Sequence, residues 1–219
     1  MRVSSFICLA FVVLMMVSLW HFSSSSLSVS VEQMTNHNVE EGPPLPRRPF
    51  DYRVLKTPEE IVQLIDLVVE GERDLHVVEK QLPLLNGTVN FFDLSKYSEF
   101  KERIKDILLP IAEALANQEL EPTALYGVRE YTHGATLGMH MDKRETHVYS
   151  FTITHDKDAD WPIRVTDDTG KDYDLELEPG QMLYYVGADY EHGRPTAFEG
   201  ESYINFYVHY KPADAFTII

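Results

Sequence analysis

Two short stretches carry residue types that could do chemistry together: His140-Met141-Asp142 and, much later, His192-Gly193-Arg194-Pro195. Two imidazoles and one carboxylate on one face of a metal leave the opposite positions open, the arrangement iron needs to take a co-substrate and dioxygen together. In an extended segment residues two apart point to the same side, so His140 and Asp142 can reach one ion. His192 must then arrive from a separate strand end. These three residues are the expected iron ligands and the catalytic centre. The same donors can hold zinc with an open position, although no obvious general base accompanies them. Met139, Met141 and Met182 would suit copper, but thioethers more often fill cores. Of the 9 histidines, His133, His147, His155 and His209 are read as surface, core or supporting residues.

The elements that must present this set divide into a helical half and a strand-rich half. Thr57-Pro58-Glu59-Glu60 combines a capping box with proline at the first helical position, and Ile61, Leu64, Ile65 and Val68 follow on one face. A helix over 58–70 is predicted, stopped by Gly71. Between Leu75 and Leu94 a weak alternation with a turn at Asn86-Gly87 suggests one or two edge strands. Phe100, Ile104, Ile107, Leu108, Ile111 and Leu115 predict a second helix over 97–117, bent at Pro110. After Pro122 short strands are expected at 125–131, 146–154, 163–166, 173–177, 182–186 and 203–210. Asp167-Asp168-Thr169-Gly170 and Glu178-Pro179-Gly180 mark turns between them. Many short strands spaced in this way predict a mainly β protein with flanking α-helices, an α+β chain with a jelly-roll core that brings distant strand ends to one mouth.

The N-terminus reads differently. Residues 6–22 are almost wholly apolar and follow a start carrying Arg2, so 1–22 is expected to be a signal peptide or a type II membrane anchor. Residues 23–49, rich in Ser and Pro, read as a flexible linker or stalk. The remaining 50–219 can form one domain, with helical support at 50–120 and a jelly-roll core at 121–212. Asn86-Gly87-Thr88 is an N-glycosylation sequon. Together these predict a glycoprotein of the secretory pathway (ER or Golgi lumen), either single-pass membrane or secreted. It touches the membrane through its N-terminal segment if that stays uncleaved.

Composition narrows the partners. The formal charge is −16, which argues against nucleic acid because no Lys/Arg stripe can neutralise phosphates. A peptide, protein or small-molecule substrate fits better. The single cysteine, Cys8, leaves the folded part without a disulfide and excludes a Cys-rich zinc site.

Several ordered landmarks then coincide. Arg129-Glu130-Tyr131, Gly134, Leu137, His140-Met141-Asp142, Thr146-His147-Val148, Trp161-Pro162, Leu177-Glu178-Pro179-Gly180, His192-Gly193-Arg194-Pro195 and Asn205-Phe206-Tyr207-Val208-His209-Tyr210 make residues 124–212 resemble the 2-oxoglutarate- and Fe(II)-dependent dioxygenases of the prolyl 4-hydroxylase-like branch. The resemblance implies a double-stranded β-helix with N-terminal support helices, and iron held by His140, Asp142 and His192. It implies a peptidyl-proline 4-hydroxylase-like reaction, in which C–H hydroxylation by dioxygen is coupled to decarboxylation of 2-oxoglutarate to succinate, with ascorbate as reductant. The chain departs from the family at one place. Many relatives clamp the distal carboxylate of 2-oxoglutarate with an Arg or Lys nine or ten residues past the second histidine, where this chain has Glu201 and Ser202. A buried dicarboxylate still needs a cation. The candidates are Tyr131, at a position where relatives place a co-substrate tyrosine, with Arg129 or Arg194. The missing clamp also motivates a rival reading, a non-catalytic jelly-roll binding module of the secretory pathway. A zinc hydrolase is the third.

Overall fold

In a computed structural model of the chain, residues 47–72, 76–79 and 83–213 are described. The N-terminal segment 1–22 and the linker up to residue 46 lie outside these. Among the described residues no helix is long and apolar enough to cross a membrane.

The elements run β1 (Tyr52–Lys56), α1 (Glu59–Glu72), β2 (Val77–Val78), β3 (Leu85–Asn86), β4 (Val89–Asp93), α2 (Ser98–Ala116), β5 (Leu120–Ala124), β6 (Gly127–Tyr131), β7 (Thr136–His140), β8 (Tyr149–Lys157), β9 (Ile163–Thr166), β10 (Asp172–Leu175), β11 (Gln181–Tyr185), β12 (His192–Arg194) and β13 (Tyr203–Pro212). They build two antiparallel sheets. The larger has the order β1-β11-β8-β13-β6-β4-β2, with β5 also on β13; the smaller has the order β10-β9-β12-β7-β3. This is the expected jelly roll. Both helices fall where the hydrophobic period put them, and α2 runs through Pro110 as one helix.

The segment 50–120 contributes more than helices, because β1 extends the larger sheet beside β11 and β3 extends the smaller beside β7. The sequence shows why these strands are hard to see. β1 is an edge strand with Arg53, Val54 and Lys56 exposed, and β3 has two residues, so neither carries a full alternation. Gly87 makes the predicted turn between β3 and β4 at φ 84°, a left-handed backbone suited to glycine.

β8 and β13 form the centre of the larger sheet and are buried on both faces. Phe151, Ile153, Phe206 and Val208 join one core with Ile61 and Ile65 of α1 and Ile104 and Leu108 of α2. The alternate residues of the same strands are polar yet fully buried: Ser150, Thr152 and Thr154 on β8, and Asn205 on β13. One face of this sheet therefore takes up the helices, while the other is lined with hydrogen-bonding groups. Asn205 Nδ2 donates to Thr152 Oγ1 at 3.0 Å across the pair, and Thr154 Oγ1 lies 2.8 Å from the Tyr203 hydroxyl. A second cluster of Leu85, Val89, Tyr131, Leu137, Trp161, Phe198 and Tyr203 closes the far end.

Candidate metal centre and co-substrate pocket

His140 ends β7 and His192 begins β12, and the two are direct cross-strand partners. Asp142 lies just past the end of β7, its backbone N–H bonded to the Gly187 carbonyl at 2.8 Å. The three side chains meet: their ligand atoms lie within 4.8 Å of one another. His140 Nε2 is 3.9 Å from Asp142 Oδ1, and His192 Nε2 is 3.7 Å from Oδ2.

The donor chemistry fits a metal. His140 Nδ1 lies 2.8 Å from the Gly138 carbonyl and His192 Nδ1 lies 3.0 Å from the Tyr190 carbonyl. A carbonyl can only accept, so each ring carries a proton on Nδ1, which leaves Nε2, on the side of the carboxylate, as the nitrogen available to a metal. Burial holds His192 neutral down to about 4. Burial works against the charge on Asp142, but His192, His209, His140 and the Ser150 hydroxyl outweigh it and keep the carboxylate ionised. Imidazole nitrogens beside an ionised carboxylate are donors that suit a divalent ion.

Gly187 leaves the carboxylate its room. A Cβ there would sit 2.2 Å from Asp142 Oδ2 and 3.0 Å from Ser150 Oγ. Gly187→Ala is expected to push the Asp142 carboxylate aside and weaken metal binding about 10-fold or more, read by titration of Mn(II) into the purified variant. The loops flanking the site are tied together by Asp189. Its fully buried carboxylate accepts from the Arg48 backbone N–H at 3.0 Å and from Arg48 Nη1 at 3.1 Å, and pairs with Arg144. Arg48, within the predicted linker, is thus tied to the domain.

A cavity of about 750 Å³ contains all three ligands. Tyr185, Tyr207, His147, His209 and Arg129 line it beside the ligands, and Pro83, Leu84, Leu85, Phe91 and Leu137 give it an apolar side. Leu84, Tyr126 and Met141 are exposed at the same cavity. Arg129 is not free: Glu79 holds its guanidinium through two bonds, at 2.7 and 2.8 Å.

Arg194 is in the opposite condition. It lies two residues past His192 and is 1% exposed, among the largest fully buried side chains. Its guanidinium carbon sits 4.8 Å from the Trp161 ring centre and 4.5 Å from that of Tyr203, with Nη2 donating to the Tyr203 hydroxyl at 2.9 Å. Nε has no hydrogen-bond partner. Among the described residues no carboxylate pairs with it. A buried cation held only by aromatic faces and one phenol is costly without an anion. Tyr131, buried beside this cage, places its hydroxyl 3.2 Å from that of Tyr207.

Ser150, Tyr185 and Glu79 carried no expectation from the sequence and Trp161 only that of a landmark, whereas His209, one of the histidines read as surface, core or supporting, lies 2.9 Å from Ser150 Oγ in a supporting place. The buried Ser-x-Thr-x-Thr of β8 was the available signal, since a polar residue at every second position of a strand with no exposed face must line an interior. His209, at about 3, and His192 are both depressed by burial, and His155 is lowered for the same reason. Protons therefore bind the unfolded chain before the folded one. The metal-free protein is expected to hold full stability above about pH 6.5 and to lose several kcal/mol, order of magnitude, as pH falls toward 4. Thermal melts across that range check this, and a flat profile would contradict it.

No protein-family model matches the chain, and no curated protein matches it in sequence. Solved structures do. A Pseudomonas putida prolyl-4-hydroxylase superposes with a TM-score of 0.53 at 13% identity, covering 75% of this chain and 94% of that one. SnoN, a non-heme alpha-ketoglutarate-dependent epimerase from nogalamycin biosynthesis, gives 0.58 at 11% identity over 76% of this chain and 79% of its own. HygX from Streptomyces hygroscopicus, solved with nickel and 2-oxoglutarate bound, gives 0.52 at 14% identity, with coverage of 75% and 84%. The chain thus has the fold of the 2-oxoglutarate–Fe(II) oxygenases, prolyl 4-hydroxylases among them.

Proposed function

We propose that the protein is an Fe(II)- and 2-oxoglutarate-dependent dioxygenase that hydroxylates an unactivated C–H bond, with a peptidyl proline as the substrate class. The observation that carries this reading is the His140–Asp142–His192 set, with each Nδ1 held by a backbone carbonyl and each Nε2 turned to one carboxylate. His140, Asp142 and His192 would hold the iron, a set of three protein donors that leaves room for a co-substrate. The bound iron supplies the oxidising chemistry, in which 2-oxoglutarate loses carbon dioxide to become succinate and one oxygen atom enters the substrate.

The chain's own residues bind and orient. Arg194 is the cation for the distal carboxylate of 2-oxoglutarate, because its Nε lacks a partner and its charge lacks a counter-ion. Tyr131 and Tyr203 offer hydroxyls to the same carboxylate. Arg129, engaged by Glu79, orders the wall of the cavity instead. The apolar side formed by Pro83, Leu84, Leu85 and Phe91, with Met141 and Tyr126 exposed beside it, suits an uncharged ring such as pyrrolidine and keeps water from the reacting carbon. A luminal setting is part of the proposal, supported by the apolar N-terminus and by Asn86, whose sequon side chain is exposed on the β3–β4 turn.

The test is turnover. Purified protein with Fe(II), ascorbate and 2-oxoglutarate is expected to release succinate and to add one oxygen to members of a proline-peptide panel, read by mass. Succinate formation without peptide oxidation would remove the prolyl assignment and keep the oxygenase. Failure to consume 2-oxoglutarate would favour a binding module or a zinc hydrolase.

A further inference from the structure

Asp142 is the one ligand that does not sit on a strand, so something other than a β-ladder must fix its carboxylate. Carboxylate torsions are broad, and an unsupported aspartate would sample several orientations. Ser150 Oγ donates to Asp142 Oδ2 at 2.9 Å and lies 2.9 Å from His209 Nδ1. Ser150 has one proton. The carboxylate can only accept, so that proton goes to Asp142 and the serine oxygen accepts from His209 Nδ1–H. Ser150 and His209 are themselves register partners on β8 and β13, the two best-buried strands, so the donors are held by the sheet itself. Gly187 closes the other side of the carboxylate.

We infer that Ser150 and His209 are positioning residues, a two-step hydrogen-bond relay that points the Asp142 carboxylate at the metal. The inference rests on the metal-site reading above. The relay runs from the buried centre of the larger sheet to the loop after β7, and links the ligand with no strand of its own to two paired, buried strands. Partners of this kind are typically worth about 10- to 100-fold in metal affinity. A serine buried merely to fill space would serve equally well as alanine for metal binding.

The experiment is titration of Mn(II) into the full-length protein, followed by calorimetry, with thermal melting of the metal-free forms alongside. Ser150→Ala is expected to bind Mn(II) about 10- to 100-fold more weakly, while Ser150→Thr, which keeps the hydroxyl on a strand-compatible residue, restores binding. His209→Asn, whose amide nitrogen can take the place of Nδ1, should bind more tightly than His209→Phe. Wild-type affinity in Ser150→Ala would overturn the relay and leave the metal site standing. No Mn(II) binding by the wild type would overturn the metal site itself. If Ser150→Ala does not fold, the His209 pair decides, and equal loss in Asn and Phe overturns the relay.

Discussion

His140→Ala and Asp142→Ala are each expected to abolish succinate formation and to lower metal affinity by more than about 100-fold, since even the groups that merely support ligands are worth about 10- to 100-fold. The two losses have different origins. His140→Ala removes an imidazole donor fixed by Gly138. Asp142→Ala removes the only anion of the set, against which His192 and His209 are both placed. In the metal-free protein Asp142→Ala also leaves the Ser150 hydroxyl without its acceptor. Calorimetric Mn(II) titrations of both variants, with succinate read by mass, check the result. Variants as active as the parent would show that the three residues meet for some other purpose.

Arg194→Met should separate function from stability. Methionine has a similar reach without the charge, so binding of 2-oxoglutarate should fall by about 2–5 kcal/mol, roughly 30-fold to several thousand-fold. The metal-free, co-substrate-free variant should melt at the same temperature as the parent or higher. In that state the arginine is a buried cation with no counter-ion and an unpaired Nε among the described residues, and replacing such a group by an apolar one relieves a penalty. Few sites are expected to show lost binding with equal or greater stability, because most buried substitutions destabilise. Arg194→Lys should not restore binding, since an ammonium cannot reproduce the planar guanidinium between Trp161 and Tyr203. Equal 2-oxoglutarate affinity in parent and Arg194→Met would return Arg129 to consideration, with Glu79 as a displaceable partner.

What the sequence makes legible follows from which interactions are local. The helices at 59–72 and 98–116 announce themselves through apolar stripes, a property of neighbouring residues, whereas the expected capping box is not made: Thr57 Oγ1 has no hydrogen-bond partner among the described residues and Glu60 binds Arg103. The ligand triplet is legible because His140 and Asp142 are adjacent in sequence and His192 sits in a distinctive His-Gly-Arg-Pro. The partners of those ligands are not. Ser150 meets Asp142 only because β8 lies beside β11 and β13, and Glu79 meets Arg129 across fifty residues. Register between strands decides such pairs, and no single segment encodes register. The choice between Arg129 and Arg194 was open in the sequence for the same reason. Only the tertiary arrangement shows that one has a carboxylate and that, among the described residues, the other has none.

The proposed function requires a metal held by His140, Asp142 and His192 and a dicarboxylate held by Arg194. Its most direct test is calorimetric titration of 2-oxoglutarate into the protein without oxygen, with and without Mn(II), in parent, Asp142→Ala and Arg194→Met forms. The account predicts 2-oxoglutarate binding by the Mn(II)-loaded parent, and its loss on omitting the metal or in either variant. Absence of binding by the loaded parent, or binding indifferent to metal, Asp142 and Arg194, would contradict it.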